Sequence, residues 1–557
     1  MMRFAIGTDN FKEIRTNKDS AGQLCFYCDK SLLIKDIIDD GSKVIVLPRP
    51  RRFGKTLNLS MLKYFFDITE NNASLFAGLK IATHKNIMEE WQGKYPTVFI
   101  SFKDLRPKTY EVFITGLKQY ISECCREFDY LLSSTKVKKY LKEALIQYSS
   151  GQINDDEIEW PLWYLTKALK EHHGQHAVVL MDEYDTPLQE AYIHGYFDTA
   201  IGPFRNMMGK LFKGNIFLYK GVITGITRIA RESLFSGVNN LQVYDITCNQ
   251  YAEYFGFTEE EVRKICDPIH LDELKSWYNG YTFGDNLTIY NPWSILNFLG
   301  KGYKLAPYWV NASSNDLMKS SFTTDKLEDV KALIDGQSIT VRLEPFTVMN
   351  NLKTNATSFW NLAFMTGFLT VFPRATTATE FEPTRAMRIP NKEVLYFFET
   401  TVLEWFNRSG NTQFLTDFLN ALITGYVEKV QICLSAIILE SFSFHDVDVL
   451  KQESFYHGFL LGLSLGLRGR YQVKSNRESG FGRYDVALYP NDPKKDAGVV
   501  IEVKMSKETA DEALLQIQDK EYAADLKQHG CKTIHLYGIH FDGKKVLTKL
   551  VTETLNS

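Results

Sequence analysis

The feature that most constrains this 557-residue chain is the segment 49–56, which reads Arg-Pro-Arg-Arg-Phe-Gly-Lys-Thr. It follows a short apolar run typical of a buried strand and opens a segment whose apolar residues recur at helical spacing. Phosphate-binding loops carry the pattern G-x-x-x-x-G-K-[ST] at such a junction, because backbone N–H groups and the helix N-terminus hold the phosphates. Gly54, Lys55 and Thr56 fit this pattern, whereas Arg49 replaces the first glycine. The tripeptide Gly-Lys-Thr alone is a weak indication of a phosphate-binding loop. The strand expected before it and the helix expected after it justify the prediction of such a loop here.

From this loop we predict a site for ATP and Mg²⁺. Lys55 is placed for the β- and γ-phosphates and Thr56 for the Mg²⁺. We expect Arg52, Phe53 and Gly54 to bind the phosphates through the backbone of the loop.

A further apolar strand, 178–181, ends in the acids Asp182 and Glu183. An acid at the carboxyl end of a strand can hold Mg²⁺, and its neighbour can polarise the attacking water. We therefore expect Asp182 to be a metal ligand and Glu183 a catalytic residue, although two solvated carboxylates at the start of a loop would give the same pattern. Thr224 ends the next strand and is a candidate sensor of the nucleotide, and Arg228 could approach the γ-phosphate.

The arginines near the strand that ends at Thr224 have alternative interpretations. Arg228 and Arg231 fit a solvated helix face as well as they fit a phosphate contact. Arg205, Arg228 and Arg231 are also candidates for an arginine that acts on a neighbouring subunit. The sequence leaves open whether the chain forms a homo-oligomer.

The order of elements in the first half predicts an α/β fold. Apolar runs without alternation suggest buried strands, and helical segments separate them, which favours a parallel sheet covered on both faces. The expected strands are 44–47, 97–102, 177–181, 217–224 and 241–246. From about 249 to 299 the pattern becomes helical, and from about 394 it is helical again before the final strands.

Composition narrows the class of protein. The net charge of −3 gives no global basic field, so any nucleic-acid site must be a local patch. We expect no secretory signal, no membrane span and no disulfide framework, hence a cytoplasmic protein. Cys25 and Cys28 form a lone CxxC without a second pair of zinc ligands.

The C-terminal part carries a second constellation. The apolar strand 499–504 contains Glu502 and Lys504, which strand periodicity places on one face. The preceding strand carries Asp485, and turn residues between the two strands predict a hairpin. Asp485 and Glu502 could then bind Mg²⁺ or Mn²⁺, with Lys504 orienting a water for attack on a phosphodiester. An edge strand with solvated charges is the simpler alternative.

A local basic and aromatic cluster precedes this site. Charges inside an apolar strand are costly unless they are used or paired, which favours a functional role for Glu502 and Lys504. Basic and aromatic side chains of this kind can bind a phosphate backbone. The cluster consists of Arg468, Arg470, Lys474, Arg477 and Arg483, interleaved with Tyr471, Phe481 and Tyr484.

Several stretches resemble a bacterial AAA-ATPase-like family whose members pair a P-loop ATPase with a C-terminal PD-(D/E)XK nuclease-superfamily domain. The stretches that carry the resemblance are 29–34, 49–67, 181–187, 223–229 and 235–240. The resemblance implies that arginine at position 49 is normal for this loop. Together with the pattern of elements along the chain, it predicts four regions: a P-loop AAA-like ATPase core at 1–248, a helical lid at 249–311, a connector or small domain at 312–393, and a restriction-endonuclease-like α/β domain at 394–557.

The resemblance assigns roles to the C-terminal residues. Asp485 and Glu502 correspond to the metal-binding acids and Lys504 to the catalytic lysine. Glu453 would be a further metal-binding acid on the first helix, and Gln516 the accessory polar residue of the helix after the strand.

Two functional hypotheses follow. In the first, ATP binding or hydrolysis drives a Mg²⁺-dependent nuclease that acts on nucleic acid, with DNA as the expected target. In the second, the chain is a regulatory or signalling ATPase whose C-terminal domain binds nucleic acid or protein without cleavage. The complete set of Asp485, Glu502 and Lys504 favours the first hypothesis.

Overall fold

A computed structural model describes residues 3–227, 241–312, 315–323, 326–344, 352, 355–374, 384–406, 414–441, 462, 466–479, 482–505, 508–542 and 545–555. The chain divides into two compact units. The first comprises 1–322 and 336–395, and the second comprises 323–335 and 396–557. The four regions expected from the sequence, with their boundaries at 248, 311 and 393, remain predictions.

The elements are numbered along the chain. The helices are α1 (Phe11–Thr16), α2 (Leu32–Asp39), α3 (Lys55–Phe66), α4 (Lys85–Trp91), α5 (Tyr110–Arg126), α6 (Lys139–Ser149), α7 (Pro161–His173), α8 (Thr186–Ile193), α9 (Phe197–Phe212), α10 (Glu259–Arg263), α11 (Leu271–Tyr278), α12 (Pro292–Gly300), α13 (Asp316–Ser321), α14 (Leu327–Ile334), α15 (Ala356–Met365), α16 (Lys392–Phe406), α17 (Phe414–Thr424), α18 (Val427–Ser441), α19 (Ala510–Asp519) and α20 (Ala524–Gln528). The strands are β1 (Val44–Pro48), β2 (Thr97–Ser101), β3 (Ala177–Asp182), β4 (Leu218–Gly225), β5 (Leu241–Val243), β6 (Phe257–Thr258), β7 (Tyr281–Phe283), β8 (Leu287–Tyr290), β9 (Ile339–Arg342), β10 (Thr370–Val371), β11 (Thr384–Arg388), β12 (Tyr471–Ser479), β13 (Gly482–Pro490), β14 (Gly498–Met505), β15 (Thr533–Asp542) and β16 (Lys545–Thr554).

The first unit is built on a five-stranded parallel sheet in the order β2-β3-β4-β1-β5. Every residue of β1 and of β3 is buried, which explains why both strands are continuous apolar runs without alternation. The α/β fold expected from the sequence is confirmed. Because β4 lies between β1 and β3, the carboxyl ends of these three strands meet at one edge of the sheet, where open α/β sheets bind ligands.

Residues 249–311 contain the expected helices α10, α11 and α12, and also a three-stranded antiparallel sheet in the order β6-β8-β7. The helical pattern did not indicate these strands, because each is only two to four residues long. The local signal is the turn after β7, where Gly284 has φ of +63° between two aromatic and β-branched runs.

Residues 312–393 carry another small antiparallel sheet in the order β10-β11-β9. In the first unit, the backbone N–H of Thr282 donates to Thr370 Oγ1 at 2.9 Å, and the Thr282 hydroxyl donates to the carbonyl of Val371 at 2.8 Å. These bonds join β7 to β10, so the two small sheets contact each other.

The second unit contains a mixed five-stranded sheet in the order β12-β13-β14-β15-β16. Strands β14 and β15 are parallel, and the other neighbours are antiparallel. The expected hairpin of β13 and β14 is present, and α19 is the helix after β14 that carries Gln516. Its apolar core includes Val500, Ile517, Leu526 and Leu536.

Within the ranges described, we find no helix with the length and apolar character needed to cross a lipid bilayer.

Candidate nucleotide site and candidate metal site

The loop between β1 and α3 depends on two residues in left-handed conformations. Arg52 has φ of +64° and Gly54 has φ of +88°, directly before the first residue of α3. Glycine adopts this conformation without steric cost, so Gly54 permits the sharp entry into the helix. The side chain of Phe53 is fully buried against Tyr281, with ring centroids 5.0 Å apart. Phe53 can therefore offer a nucleotide only its backbone.

The same loop lines a cavity of about 480 Å³ in the first unit. This volume lies in the range of small-molecule pockets, about 300–1,000 Å³. One part of the wall is charged, and another part is apolar. The charged lining includes Arg51, Arg52, Lys55, Lys103, Arg106, Asp9 and Glu183, and the apolar lining includes Phe26, Phe257, Trp293 and Leu296. Such a cavity suits a ligand with an anionic part and a flat apolar part.

Lys55 lies at the start of α3 and is 4% exposed. Its ammonium donates to the backbone carbonyl of Pro50 at 3.1 Å. Burial lowers the pKa of Lys55, and the neighbouring carboxylates of Glu183 and Asp182 act in the opposite direction. The charged side chain is therefore held inside the loop, where an anionic ligand would stabilise it.

Asp182 joins three elements through its two carboxylate oxygens. Thr56 Oγ1 donates to one oxygen at 2.7 Å, and Thr224 Oγ1 donates to the other at 2.6 Å. Asp182 is fully buried, and this burial raises its pKa while the hydrogen bonds from Thr224 and Thr56 oppose the shift. Three residues selected from sequence alone therefore meet at the carboxyl ends of β1, β3 and β4.

Glu183 follows Asp182 with φ of +48°, a value that is uncommon for a residue with a side chain. Its side chain is half-buried and lines the cavity, and one carboxylate oxygen accepts from Thr186 Oγ1 at 3.2 Å. Unusual backbone conformations of this kind concentrate at functional sites, where the surrounding structure holds them. Glu183 is thus positioned beside the loop that carries Lys55.

Arg49, which replaces the first glycine of the motif, is fully buried. One guanidinium nitrogen donates to the carbonyls of Pro48 and Tyr244, at 2.8 Å and 2.6 Å. The guanidinium carbon lies 4.9 Å from the ring centre of Phe255 and 5.5 Å from that of Phe283. Burial lowers the Arg49 pKa to about 10. Arg49 therefore ties the loop to β7 and to the segment after β5, a structural role that its sequence position does not show.

Asp185 is a further buried acid to which the sequence analysis assigned no role. One of its carboxylate oxygens accepts from the backbone N–H groups of Ile226 and Thr227, at 3.0 Å and 2.7 Å, and from Thr227 Oγ1 at 2.6 Å. It thereby fixes the chain after β4 against the start of α8. The local signal was the second acid in the segment Asp-Glu-Tyr-Asp at 182–185, which follows an apolar strand.

The arginine candidates are placed only in part. Arg228 and Arg231 lie outside the described residues. Arg205 lies on α9 and is half-buried. Four other basic residues that line the cavity, Lys30, Arg51, Lys103 and Arg106, were assigned no role from the sequence.

In the second unit, the hairpin of β13 and β14 brings the two acids of the C-terminal site together. Val486 pairs with Ile501, and continuing this antiparallel register by one residue places Asp485 opposite Glu502. A carboxylate oxygen of Asp485 accepts from the backbone N–H of Val503 at 2.7 Å. Burial raises the pKa of Asp485, and burial followed by the charge of Asp485 raises that of Glu502 to about 7.

Gln516 on α19 bridges Glu502 and Lys504. Its amide nitrogen donates to Glu502 Oε1 at 2.6 Å, and its amide oxygen accepts from Lys504 Nζ at 2.6 Å. Lys504 Nζ also lies 3.6 Å from Glu502 Oε1 and 3.4 Å from Glu508 Oε2. The helix approaches the sheet at Gly538, where a Cβ atom would collide with the Ala510 carbonyl. The predicted cluster of Glu502, Lys504 and Gln516 is therefore assembled.

One carboxylate oxygen of this cluster is in a position that suits binding of a divalent cation. Glu502 is 4% exposed, and its Oε2 finds no hydrogen-bond partner among the described residues. A buried carboxylate oxygen without a donor is costly unless it meets a cation. The described ranges contain no group of three or more potential metal-ligating side chains. Glu453, the further acid expected here, lies outside them.

The basic cluster before β13 is partly neutralised. Arg468 pairs with Glu399, and Arg470 donates to both oxygens of Asp496 at 2.6 Å and 3.2 Å. Lys474 Nζ lies 3.7 Å from the ring centre of Tyr489. The side chains of Arg477 and Arg483 and the whole of Phe481 lie outside the described part of the chain. Of the basic residues that can be assessed, Lys474 pairs with a ring and not with a carboxylate.

Comparisons with known proteins give one family match in each of the two compact units. Residues 5–235 match the family described as predicted AAA-ATPases, and residues 451–550 match the PD-(D/E)XK nuclease superfamily. A protein of Azotobacter chroococcum mcd 1, described as an uncharacterised protein in the vnfD 5′ region, is 24% identical over 97% of this chain and 96% of its own length. The chain therefore combines an N-terminal region that matches predicted AAA-ATPases with a C-terminal region that matches the PD-(D/E)XK nuclease superfamily.

Proposed function

We propose that this chain binds and hydrolyses ATP at the loop after β1, and that this activity is coupled to a Mg²⁺-dependent nuclease site on β13 and β14. The observation that carries the proposal is the network at Asp182, whose two oxygens accept from Thr56 and Thr224 beside the buried Lys55. In P-loop ATPases a hydroxyl of the loop and an acid at the end of a strand hold Mg²⁺ together.

Each residue of the nucleotide site has a role in this proposal. The Lys55 ammonium leaves the Pro50 carbonyl and binds the β- and γ-phosphates. Thr56 and Asp182 hold Mg²⁺, which supplies charge neutralisation on the phosphates. Glu183 orients a water for attack, and Thr224 keeps Asp182 in place.

The C-terminal cluster is proposed to act on nucleic acid, with DNA as the first target to test. Asp485 and Glu502 would hold the divalent cation, and this role is supported by Glu502 Oε2, which meets no donor in the part of the chain that the structure describes. Lys504, oriented by Gln516, would position or activate a water for attack on a phosphodiester. Glu453 would add a further acid.

We also propose that the protein works in the cytoplasm. All eight cysteines are free thiols, which supports a reducing compartment. The proposal includes a homo-oligomer in which one subunit provides an arginine to the nucleotide site of its neighbour. The candidates for this arginine are Arg205, Arg228 and Arg231.

The test is to incubate the purified full-length protein with Mg²⁺, with and without ATP, on single- and double-stranded DNA and RNA. We expect ATP turnover to be lost in Lys55→Ala, and slowed with binding retained in Glu183→Gln. Asp485→Ala and Lys504→Ala should abolish cleavage while ATP turnover persists. Asp492→Ala, which removes an acid in the turn between the same two strands, is the matched control and should cleave normally.

The outcomes test the nucleotide site and the C-terminal metal site separately. Unchanged ATP turnover in both ATP-site variants would remove the nucleotide assignment. Unchanged cleavage in both C-terminal variants would remove the metal assignment. Nucleic-acid or protein binding without scission under every condition would favour the alternative of a regulatory ATPase.

A further inference from the structure

Lys103 lines the nucleotide cavity although it belongs to neither of the motifs at β1 and β3. It lies just past β2, the strand next to β3, and Ser101 pairs with Asp182 across the two strands. The backbone N–H of Phe102 donates to the Asp182 carbonyl at 3.0 Å, which extends this pairing to the end of the strand. Lys103 is thus at the same edge of the sheet as Glu183, and the negative charge of Glu183 reaches it.

The partner of Lys103 comes from the N-terminal segment, defined as residues 3–10. Lys103 Nζ contacts Asp9 Oδ2 at 2.7 Å, with both side chains a little less than half exposed. Asp9 lines the same cavity, as do Ala5, Gly7 and Thr8. Ion pairs that are this exposed contribute little stability, so a stronger anion can displace Asp9.

The three arginines of the cavity each contact a regular helix. Arg106 pairs with Glu190 on α8 at 3.1 Å, and Arg51 donates to Gln189 on the same helix at 3.3 Å. Arg52 stacks over Trp293 on α12, with 4.3 Å between the guanidinium carbon and the ring centre. Lys103 differs from them because its partner lies on an irregular segment before the first helix.

We propose that Lys103 binds the terminal phosphoryl group of a nucleoside triphosphate in cis, and that Asp9 holds its ammonium when that group is absent. This inference rests on the proposed ATP site. A phosphoryl group between Lys55 and Glu183 would carry more charge than the Asp9 carboxylate, so the Lys103 ammonium would exchange one for the other. The exchange would break the contact between the N-terminal segment and Lys103 in the triphosphate state and restore it in the diphosphate state.

The experiment measures binding of a non-hydrolysable ATP analogue and of ADP, each with Mg²⁺, to the full-length protein by calorimetric titration. Lys103→Met should weaken the triphosphate analogue about tenfold and leave ADP unchanged, because one charge-assisted hydrogen bond is lost. Asp9→Asn should tighten the triphosphate analogue a few-fold, and should have no effect in the Lys103→Met background. Lys12→Met is the matched control, since Lys12 has the same exposure as Lys103 and pairs with Glu70 at 2.9 Å outside the cavity.

The readout separates this inference from the function on which it rests. Lys55→Met should lose both nucleotides; if it binds them as the wild type does, or if the wild type binds neither, the proposed ATP site fails and the inference fails with it. If Lys55→Met loses binding but Lys103→Met binds both nucleotides normally, only the role of Lys103 is rejected. Equal weakening of the analogue and of ADP by Lys103→Met also rejects it, because a merely structural lysine would not distinguish them.

Discussion

Two buried carboxylates at the end of β3 are held by different kinds of donor. Asp182 accepts from two side-chain hydroxyls, those of Thr56 and Thr224. Asp185 accepts from two backbone N–H groups of the chain after β4, as well as from Thr227 Oγ1 and the side-chain amide of Gln189. A hydroxyl can rotate and offer its oxygen to a cation, whereas a backbone N–H stays a donor. Asp182 is therefore suited to exchanging partners and Asp185 to fixing the loop.

The first prediction concerns Thr224. Thr224→Val keeps the side-chain shape but removes the hydroxyl, so one oxygen of the buried Asp182 loses its donor. Leaving such a group unsatisfied costs about 1–3 kcal/mol of stability. We expect a lower melting temperature and a loss of ATP turnover of about 10- to 100-fold, as for other residues that orient metal ligands.

Thr224→Ser retains the hydroxyl and is the control for this prediction. Thermal unfolding and steady-state ATP turnover are measured on all three proteins. Wild-type turnover in Thr224→Val would mean that the bond to Asp182 is not needed, and a Thr224→Ser protein as impaired as Thr224→Val would assign the loss to packing.

The residues that meet at the candidate nucleotide site could be predicted from the sequence, because each of them lies at or just after the end of a strand. Lys55, Thr56, Asp182 and Thr224 each follow or end an apolar run, and parallel strands bring such positions together. The contact of Lys103 with Asp9 was not predictable, because 94 residues separate them and neither belongs to a motif. A pairing of that kind depends on the tertiary fold alone.

At the scale of elements, most buried strands were found from the sequence, and several short or polar ones were missed. Strands β1 to β3 are mostly apolar, and β4 is buried along nearly all of its length. Strand β5, expected at 241–246, ends at Val243. Strands β12 and β16 carry many polar residues and lie at the edges of their sheet, so neither gives a continuous apolar run. The small sheet β6-β8-β7 was missed for its short strands.

The second prediction concerns Gln516 on α19, which contacts two side chains of β14. Gln516→Ala removes the bridge between Glu502 and Lys504 and leaves both charged groups less well oriented. We expect the affinity of the C-terminal site for Mn²⁺ to fall about tenfold or more, as is typical when an outer partner of a metal ligand is lost. Calorimetric titration of Mn²⁺ into protein whose nucleotide site carries Lys55→Ala isolates this site.

Gln518→Ala is the matched control, because Gln518 is on the same helix and is exposed to solvent. Protein with Gln518→Ala should bind Mn²⁺ with the same affinity as protein that carries Lys55→Ala alone. Equal affinity in the two glutamine variants would show that α19 only packs against the sheet and does not orient Glu502.

At the scale of the whole molecule, the chain passes from the first unit to the second within α16. Glu393, in the first turn of this helix, is fully buried in the first unit. Its two oxygens accept from Ser294 Oγ at 2.8 Å and from the backbone N–H of Trp309 at 2.6 Å. Burial raises the Glu393 pKa to about 7, and the hydrogen bonds only partly oppose this shift. The helix therefore begins on a carboxyl group that titrates near neutral pH.

The third prediction is a pH dependence of stability that belongs to Glu393. A carboxyl group with a raised pKa in the folded state binds more protons there than in the unfolded state between its two pKa values, about 4.5 and about 7. Its contribution to the free energy of unfolding therefore falls as the pH rises through this window and is constant above it. The total change is on the order of 3 kcal/mol, since each pKa unit corresponds to about 1.4 kcal/mol.

Glu393→Gln removes this titration, so its melting temperature relative to wild type should rise from pH 5 to pH 8. Calorimetric melting of both proteins across this range checks the sign, and Glu404→Gln, which alters an exposed acid of the same helix, is the control. Because Gln cannot ionise, the benefit must saturate above about pH 7. A difference between Glu393→Gln and wild type that stays constant with pH would place the Glu393 pKa outside the window and make its burial a matter of packing alone.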